Sequence, residues 1–174
     1  MMKAHSTVPR LSRTALIAPC GINCGVCLAF LRTSSRCPGC RVDDPRKPKT
    51  RTGCRIKTCA ARRGPFCIGC ADFPCQRLQH LDRRYRTKYG MSMIDNLRRI
   101  EAVGVRRFAE EERVRWTCGA CGATICVHKP SCLICGQRRA AHQLIAVAAP
   151  GSLSRKKHRN QGPYGRPKKK ECTK

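Results

Sequence analysis

The stretch WTCGACGATICVHKPSCLICG, residues 116–136, contains two Cys-x2-Cys-Gly turns separated by ten residues. Each turn directs two thiolates toward one point, and the glycine that follows tolerates the backbone bend. Two such turns complete a closed tetrahedral site that leaves no open position for water. The spacing therefore predicts a structural zinc ribbon over residues 118–136. Its predicted ligands are Cys118, Cys121, Cys132 and Cys135.

Two more candidate ligands, Cys126 and His128, lie between these turns. They are two positions apart, so they would share one face of a strand. Either side chain could replace a knuckle thiol or support the site through contacts with its ligands. For His128, a packed or surface imidazole is the competing interpretation. Ligation by the four knuckle cysteines is the prediction, with Cys126 and His128 as further metal candidates.

The cysteine content indicates how the chain is held together. Cysteine accounts for 16 of 174 residues and aromatic residues for only 5%, so we expect cross-links in place of a large apolar core. The N-terminus carries only the short apolar run ALIA, which predicts no secretory signal, and no stretch is long enough to span a bilayer. We therefore expect a cytoplasmic protein with reduced thiols. In that setting Cys-x2-Cys pairs are more typical of metal knuckles than of disulfides.

Residues 20–75 hold ten cysteines, enough for two tetrahedral sites with two thiols left over. One predicted ligand set is Cys24, Cys27, Cys37 and Cys40, and the other is Cys54, Cys59, Cys67 and Cys70. Cys20 and Cys75 are then further metal candidates. Interleaved sets fit the spacing equally well, because a knuckle shows which two ligands share a metal but not which knuckles meet.

The first three of these thiols, in CGINCGVC at residues 20–27, have the Cys-x3-Cys-x2-Cys spacing of radical S-adenosylmethionine enzymes. Such an enzyme needs a barrel of TIM-like scale, well above this chain's length, to enclose its cofactor and substrate. All-thiolate sites suit both zinc and iron. Zn²⁺ is the predicted cofactor, and an iron–sulfur cluster in the N-terminal region is the alternative.

Composition divides the chain into six regions. They are a flexible lead-in (1–19), a loop-rich cysteine region (20–75), a helical region (76–117), the zinc ribbon (118–136), a short helix or linker (137–154) and a disordered basic tail (155–174). In the helical region, Leu78, Leu81 and Tyr85 recur at helical spacing, Ser92 is the expected N-cap of a second helix, and Gly104 its expected end. The predicted fold class is a small, metal-stabilised α+β protein.

Several short sequence motifs resemble those of a known family. They are APCGINCGVCLAF, CPGC, CRIKTCA, CIGCADFPC, RYRTKYGMSMIDNLRRI and the closing RWTCGACGATICVHKPSCLICG. Together, over residues of about 18–136, they resemble the prokaryotic cysteine-rich family catalogued as domain of unknown function 3795. The resemblance implies that the cysteines bind metal, and it implies no reaction. The basic tail lies outside it.

Charge points to an anionic partner. The chain carries 37 Lys and Arg against 10 Asp and Glu, a formal net charge of +27. That balance favours nucleic acid over a membrane surface. The tail word PYGRPKKK resembles the AT-hook, which lies in the minor groove of DNA, although Tyr164 stands where such hooks carry another arginine. Its predicted nucleic-acid contacts are Arg166, Lys168, Lys169 and Lys170. The alternatives are a nonspecific phosphate-binding arm and a basic tail that is only solvated.

No nucleophile–base pair with motif spacing occurs among the few acids and histidines, so no enzyme activity is predicted. The favoured interpretation is a zinc-binding module that acts by binding nucleic acid or a nucleoprotein partner. The alternative is an iron–sulfur or thiol-based redox protein, with Cys20, Cys75 and Cys126 as its reactive thiols. Neither the oligomeric state nor a particular protein partner follows from the sequence.

Overall fold

A computed structural model describes residues 13–45, 47 and 49–144. This part of the chain is mainly helical. Its α-helices are α1 (Leu28–Leu31), α2 (Lys49–Thr52), α3 (Gln76–Tyr89), α4 (Met93–Arg115) and α5 (Ala141–Leu144), and its 3-10 turns are Arg13–Leu16, Cys24–Val26 and Cys67–Gly69. Most of the predicted lead-in and the whole predicted tail lie outside the described residues.

The predicted helical middle is confirmed as α3 and α4. In α3, which begins directly after Cys75, the buried side chains Leu78, Asp82 and Tyr85 lie on one face. Asp82 faces the core because its carboxylate accepts hydrogen bonds from the Ser92 hydroxyl (2.8 Å) and the Ile94 N–H (3.0 Å). A buried carboxylate with these donors ties the start of α4 to α3.

Helix α4 begins and breaks where the sequence predicts. The Ser92 side chain accepts a hydrogen bond from the Asp95 N–H at 3.0 Å, which is an N-cap. At Gly104, φ is 78° and ψ is 157°, so the helix is interrupted and two arms result, 93–103 and 105–115. Arg99 on the first arm donates two hydrogen bonds to Glu111 on the second, at 2.9 and 2.6 Å. This pair holds the arms side by side.

The cysteine-rich N-terminal part is loop-rich, as predicted. Its short helix α1 follows the 3-10 turn Cys24–Val26. Asn23 caps that turn, since its side chain accepts from the Gly25 N–H at 2.9 Å. Short turns of this kind depend on tertiary contacts, because they contain too few hydrogen bonds to persist alone.

The predicted sheet component of an α+β fold is not seen in the described residues. Three isolated antiparallel bridges occur there: Ile17 with Asn23, Thr117 with Thr124, and Ser131 with Arg138. Two of them close the knuckle turns. Each knuckle returns the chain on itself within a few residues, so its arms pair at a single position and form no extended strand. The coarser description, a small helical protein with a cysteine group near its C-terminal end, is the one that the structure supports.

The core joins four parts of the described chain. Side chains from the N-terminal segment, α3, α4 and the ribbon form one buried cluster, in which Ile17, Leu78, Leu97, Trp116 and Val127 are at most 1% exposed. The ribbon therefore shares a core with the N-terminal cysteine region. No helix among the described residues combines the length and the apolar character needed to cross a membrane.

Candidate metal centre

Four thiols converge at the C-terminal end of the described chain. The sulfur atoms of Cys118, Cys121, Cys132 and Cys135 all lie within 4.8 Å of one another. The closest approaches join the two knuckles: Cys118 Sγ to Cys135 Sγ is 3.6 Å, and Cys121 Sγ to Cys132 Sγ is 3.7 Å. The four residues predicted as ribbon ligands are therefore brought together.

The two knuckles have the same backbone construction, repeated after fourteen residues. In each knuckle, the first cysteine and the glycine after the second cysteine form equivalent backbone hydrogen bonds. An isolated antiparallel bridge closes each turn. The matching bonds are Cys118 N–H to Ala123 O and Cys132 N–H to Gln137 O (both 2.8 Å), then Gly122 N–H to Cys118 O (2.9 Å) and Gly136 N–H to Cys132 O (3.1 Å). Both glycines have positive φ, 71° and 75°. The repetition explains why the thiols face one another.

The first thiol of each knuckle is also prepared to ionise. The backbone N–H groups of Cys121 and Ala120 lower the pKa of Cys118, and those of Cys135 and Ile134 lower the pKa of Cys132 to about 7. Hydrogen bonds from N–H groups favour the thiolate over the thiol. The thiolate is the form that binds metal.

These dimensions fit a divalent metal ion. Zinc binds thiolate sulfur at about 2.3 Å, so sulfur atoms at the corners of a tetrahedron are about 3.8 Å apart. The observed separations of 3.6 and 3.7 Å are close to that value. They are far longer than the ~2.05 Å of a disulfide bond. The four cysteines could therefore hold a metal ion.

The ribbon is attached to the N-terminal cysteine region through its central segment. Val127 N–H donates to Val26 O at 2.8 Å, and Ile125 N–H donates to Trp116 O at 2.7 Å.

Arg139, which sequence reasoning missed, donates to Val127 O at 2.8 Å and to Tyr89 O at 3.0 Å. Its guanidinium also lies 5.6 Å from the Trp116 ring. Nothing in the local sequence distinguishes this arginine from its basic neighbours.

Cys126 and His128 are placed away from the four-thiol group. Cys126 is fully buried, and burial raises its pKa. His128 accepts the Leu28 N–H through Nδ1 at 3.2 Å, so Nε2 carries the ring hydrogen and donates to the Tyr85 hydroxyl at 3.0 Å. Both ring nitrogens are thus used. These contacts are those of a packed imidazole, and the group of converging thiols does not include His128.

His128 leads to a prediction about acid stability. Burial, followed by the charges of Arg51, Arg139 and Arg84, lowers its pKa below the ordinary 6.5. A lowered pKa means that stability present above pH 6.5 is lost as the pH falls, because the unfolded chain binds the proton first. We expect the melting temperature of the unaltered protein to fall more steeply between pH 7.5 and 5.5 than that of His128→Gln. Replacement of the exposed histidine, His80→Gln, is the matched control. Equal slopes for the unaltered protein and His128→Gln would contradict this account.

The ten N-terminal thiols are less clearly grouped. Within residues 13–45, 47 and 49–144, no second set of three ligand atoms meets the distance that defines the ribbon group. One contact joins two predicted knuckles, since the Cys40 N–H donates to Cys24 Sγ at 3.3 Å. Cys20, predicted as left over, is buried among the others. Burial, with the nearby thiols of Cys40, Cys67 and Cys54, raises its pKa to about 12. The two predicted N-terminal ligand sets stay predictions.

Two basic side chains hold this region together, and neither was expected from the sequence. Lys47 is buried, and its ammonium donates to Gly39 O and Val42 O, which organises the loop after Cys40. Arg41 spans two segments, because it donates to Ile17 O at 2.6 Å and to Pro65 O at 2.8 Å. The predicted tail contacts, Arg166, Lys168, Lys169 and Lys170, lie outside the described residues.

Fold and site together define a small, helical, cysteine-rich protein with a four-thiol group that could hold a metal ion. Residues 16–80 match the family described as "Protein of unknown function (DUF3795)", which confirms the predicted resemblance over that range. All ten N-terminal cysteines lie inside the match, and the four-thiol group lies beyond its end. No curated protein and no solved structure matches the chain.

Proposed function

We propose that this protein is a cytoplasmic zinc-binding module that acts by binding nucleic acid. The observation that carries the metal part is the four-thiol group, with its sulfur separations of 3.6 and 3.7 Å between two like knuckles. Four protein thiolates complete the coordination of zinc and leave no position for a reactive water. The metal would therefore stabilise the fold rather than catalyse a reaction.

The buried thiols favour binding over the redox alternative. A redox-active cysteine needs a lowered pKa and access to solvent. Burial instead raises the pKa of Cys20 and of Cys126, two of the three thiols proposed for that role. Elemental analysis of the purified protein separates the two hypotheses. We expect zinc and a colourless solution, with one ion per chain for the ribbon and three if both N-terminal sets also bind. Iron with visible absorbance would favour the alternative.

Nucleic acid is the partner that the charge supports best. A formal net charge of +27, counted with neutral thiols, in a chain of 174 residues gives a strong attraction for a polyanion. The predicted tail contacts add a basic segment of the kind that binds phosphates or a minor groove. An extended or helical phosphate backbone offers many charges to such a chain, whereas a small anionic metabolite offers few.

A salt titration of binding tests this function. We expect the full chain to shift duplex DNA or RNA in a gel, with log affinity falling linearly against log salt by about 0.9 for each phosphate contacted. A full chain carrying Arg166→Gln, Lys168→Gln, Lys169→Gln and Lys170→Gln should bind more weakly, with a shallower slope. Absent or salt-insensitive binding by the unaltered chain would remove nucleic acid as the partner.

A further inference from the structure

The charges of the folded part are segregated. Its acidic side chains lie mainly on α4 and at Asp82, in the middle of α3, and there they pair with arginines. The pairs are Arg13 and Arg113 with Glu110, Arg86 and Arg98 with Asp95, Arg86 with Asp82, Arg99 and Arg107 with Glu111, and Arg115 with Glu112. This side of the protein is therefore locally neutralised and offers little attraction to an anion.

Another face of α3 has no such compensation. Arg77, Arg84 and Lys88 are seven and then four positions apart, which places them along one side of the helix. From Arg77 to Lys88 the helix rises about 16 Å. All three side chains are exposed, and none forms an ion pair with a carboxylate of the described residues. The three side chains therefore form a row of positive charges that no carboxylate of the described residues neutralises.

Neighbouring segments extend this row. Arg77 donates to Arg55 O at 3.2 Å, so the loop after α2 lies against the beginning of α3. At the other end, Tyr85 of α3 meets His128 of the ribbon at 3.0 Å, and exposed Lys129 follows directly. We call the six exposed cations of this face the basic stripe: Arg51, Arg55, Arg77, Arg84, Lys88 and Lys129.

Two segments of the stripe place positive charge near His128. Arg51 of α2 and Arg84 of α3 both contribute, after burial, to lowering the pKa of His128. The same two arginines act on the Tyr85 hydroxyl in the direction that favours its anion. Two cations from separate segments therefore act on one spot. Arg51, Arg55 and Lys129 form no ion pair with a carboxylate of the described residues.

We propose that the basic stripe binds the phosphate backbone of a nucleic-acid duplex. This inference rests on the proposed function and assigns the folded surface responsible for it. The rise of about 16 Å along α3 is enough to reach across the ~12 Å major groove, so its cations can contact phosphates on both sides. The contacts are to phosphates, which gives affinity and position without reading bases.

The stripe suits a duplex better than a single strand or a membrane. Single-strand binding uses free aromatic faces as stacking platforms. Here Tyr85, Tyr89 and His128 pack edge to face on one another, with ring centroids 4.8 to 5.6 Å apart. Binding to a membrane surface uses exposed apolar side chains beside the basic ones. The large exposed apolar residues of the described part are Val114, Leu133 and Ile134, and none of them belongs to the stripe.

A paired set of variants in the full chain tests this assignment. Arg84→Gln with Lys88→Gln removes two stripe charges, and Arg98→Gln with Arg106→Gln removes two exposed charges from α4. We expect the stripe variant to bind a 20-base-pair duplex about tenfold more weakly at 0.15 M salt, with a log–log salt slope shallower by about 2. The α4 variant should bind within about threefold of the unaltered chain. Circular dichroism and zinc content show whether each variant folds, and Arg51→Gln with Lys129→Gln replaces the stripe variant if that variant does not fold.

The binding measurements distinguish the stripe from the tail, a duplex from a single strand, and nucleic acid from a membrane. If the unaltered chain binds but the stripe and α4 variants weaken it equally, the stripe is not the binding face, and the proposed function stands on the tail. Tighter binding to a single strand than to the duplex would overturn the duplex assignment. Stripe-dependent binding to phosphatidylserine vesicles, with none to nucleic acid, would overturn both proposals in favour of a membrane partner.

Discussion

Removal of the proposed zinc with a strong chelator should expose Trp116 and unfold the segment around the four-thiol group. Trp116 is the single tryptophan of the chain and is 1% exposed. Its indole N–H donates to Glu112 at 3.0 Å, and Cys118 follows two residues later. Its fluorescence therefore reports on the ribbon directly. We expect a red shift of the emission and a loss of helical circular dichroism, both reversed by added zinc.

The expected effect is large because little else holds the ribbon closed. For structural zinc in zinc-finger peptides, the free energy of metal binding is about 10–16 kcal/mol at neutral pH, and it is also the free energy of folding. The ribbon buries few apolar side chains besides Trp116, Ile125 and Val127. Its knuckle turns bring four thiolates together, and without a cation these thiolates repel one another.

Single substitutions should reproduce the effect. Cys118→Ser and Cys132→Ser each remove one of the four ligands, and we expect each variant to lose zinc and to show the fluorescence of the chelated protein. Cys172→Ser, a cysteine change outside the proposed ligand sets, is the control and should leave both signals unchanged. An unchanged spectrum and melting temperature after complete metal removal would disprove a structural role for the ribbon metal.

Gly21→Ala should destabilise the protein by about 3 kcal/mol or more, through clash and backbone strain together. A Cβ atom at this position would lie 2.9 Å from Leu97 Cγ and 2.9 Å from Met93 O. The second of these is backbone and cannot rotate away. Gly21 also has φ of 87°, a region that side chains disfavour, and its carbonyl accepts from the Asn96 amide at 3.0 Å. The substitution would therefore separate the N-terminal cysteine loop from α4.

Denaturant unfolding measures this change. Gly119→Ala is the matched control, because a Cβ there meets no atom within 4 Å. We expect the control to alter the unfolding free energy by about 0.5 kcal/mol or less, as for other surface substitutions. A loss from Gly21→Ala no greater than that of the control would show that the close contact between this loop and α4 is wrong.

The helices and the four-thiol group could be predicted because their signals are local. The N-cap at Ser92 and the helix break at Gly104 each depend on a few neighbouring residues. The same holds for each knuckle, in which two thiols and a glycine determine one turn. The meeting of the two ribbon knuckles was also predictable, since only ten residues separate them.

The grouping of the N-terminal thiols was not predictable in the same way. Every knuckle there has the same local form, so spacing alone does not show which knuckles are neighbours. In the structure, Cys24 contacts the backbone of Cys40, and Cys20 lies buried near them although it was predicted as left over. The expected β-sheet is not observed in the described residues, because the arms of each knuckle pair at one position only.

The sequence alone was enough to determine the helical middle, the four-thiol group and the strongly basic character of the chain. Only the tertiary structure decided what the ribbon rests on and where positive charge is left without acidic partners. Val127 bonds to Val26, and His128 to Leu28, across about a hundred residues of chain. Such contacts form when the shared core excludes water, and the residues involved carry no local mark of the partner that they will meet.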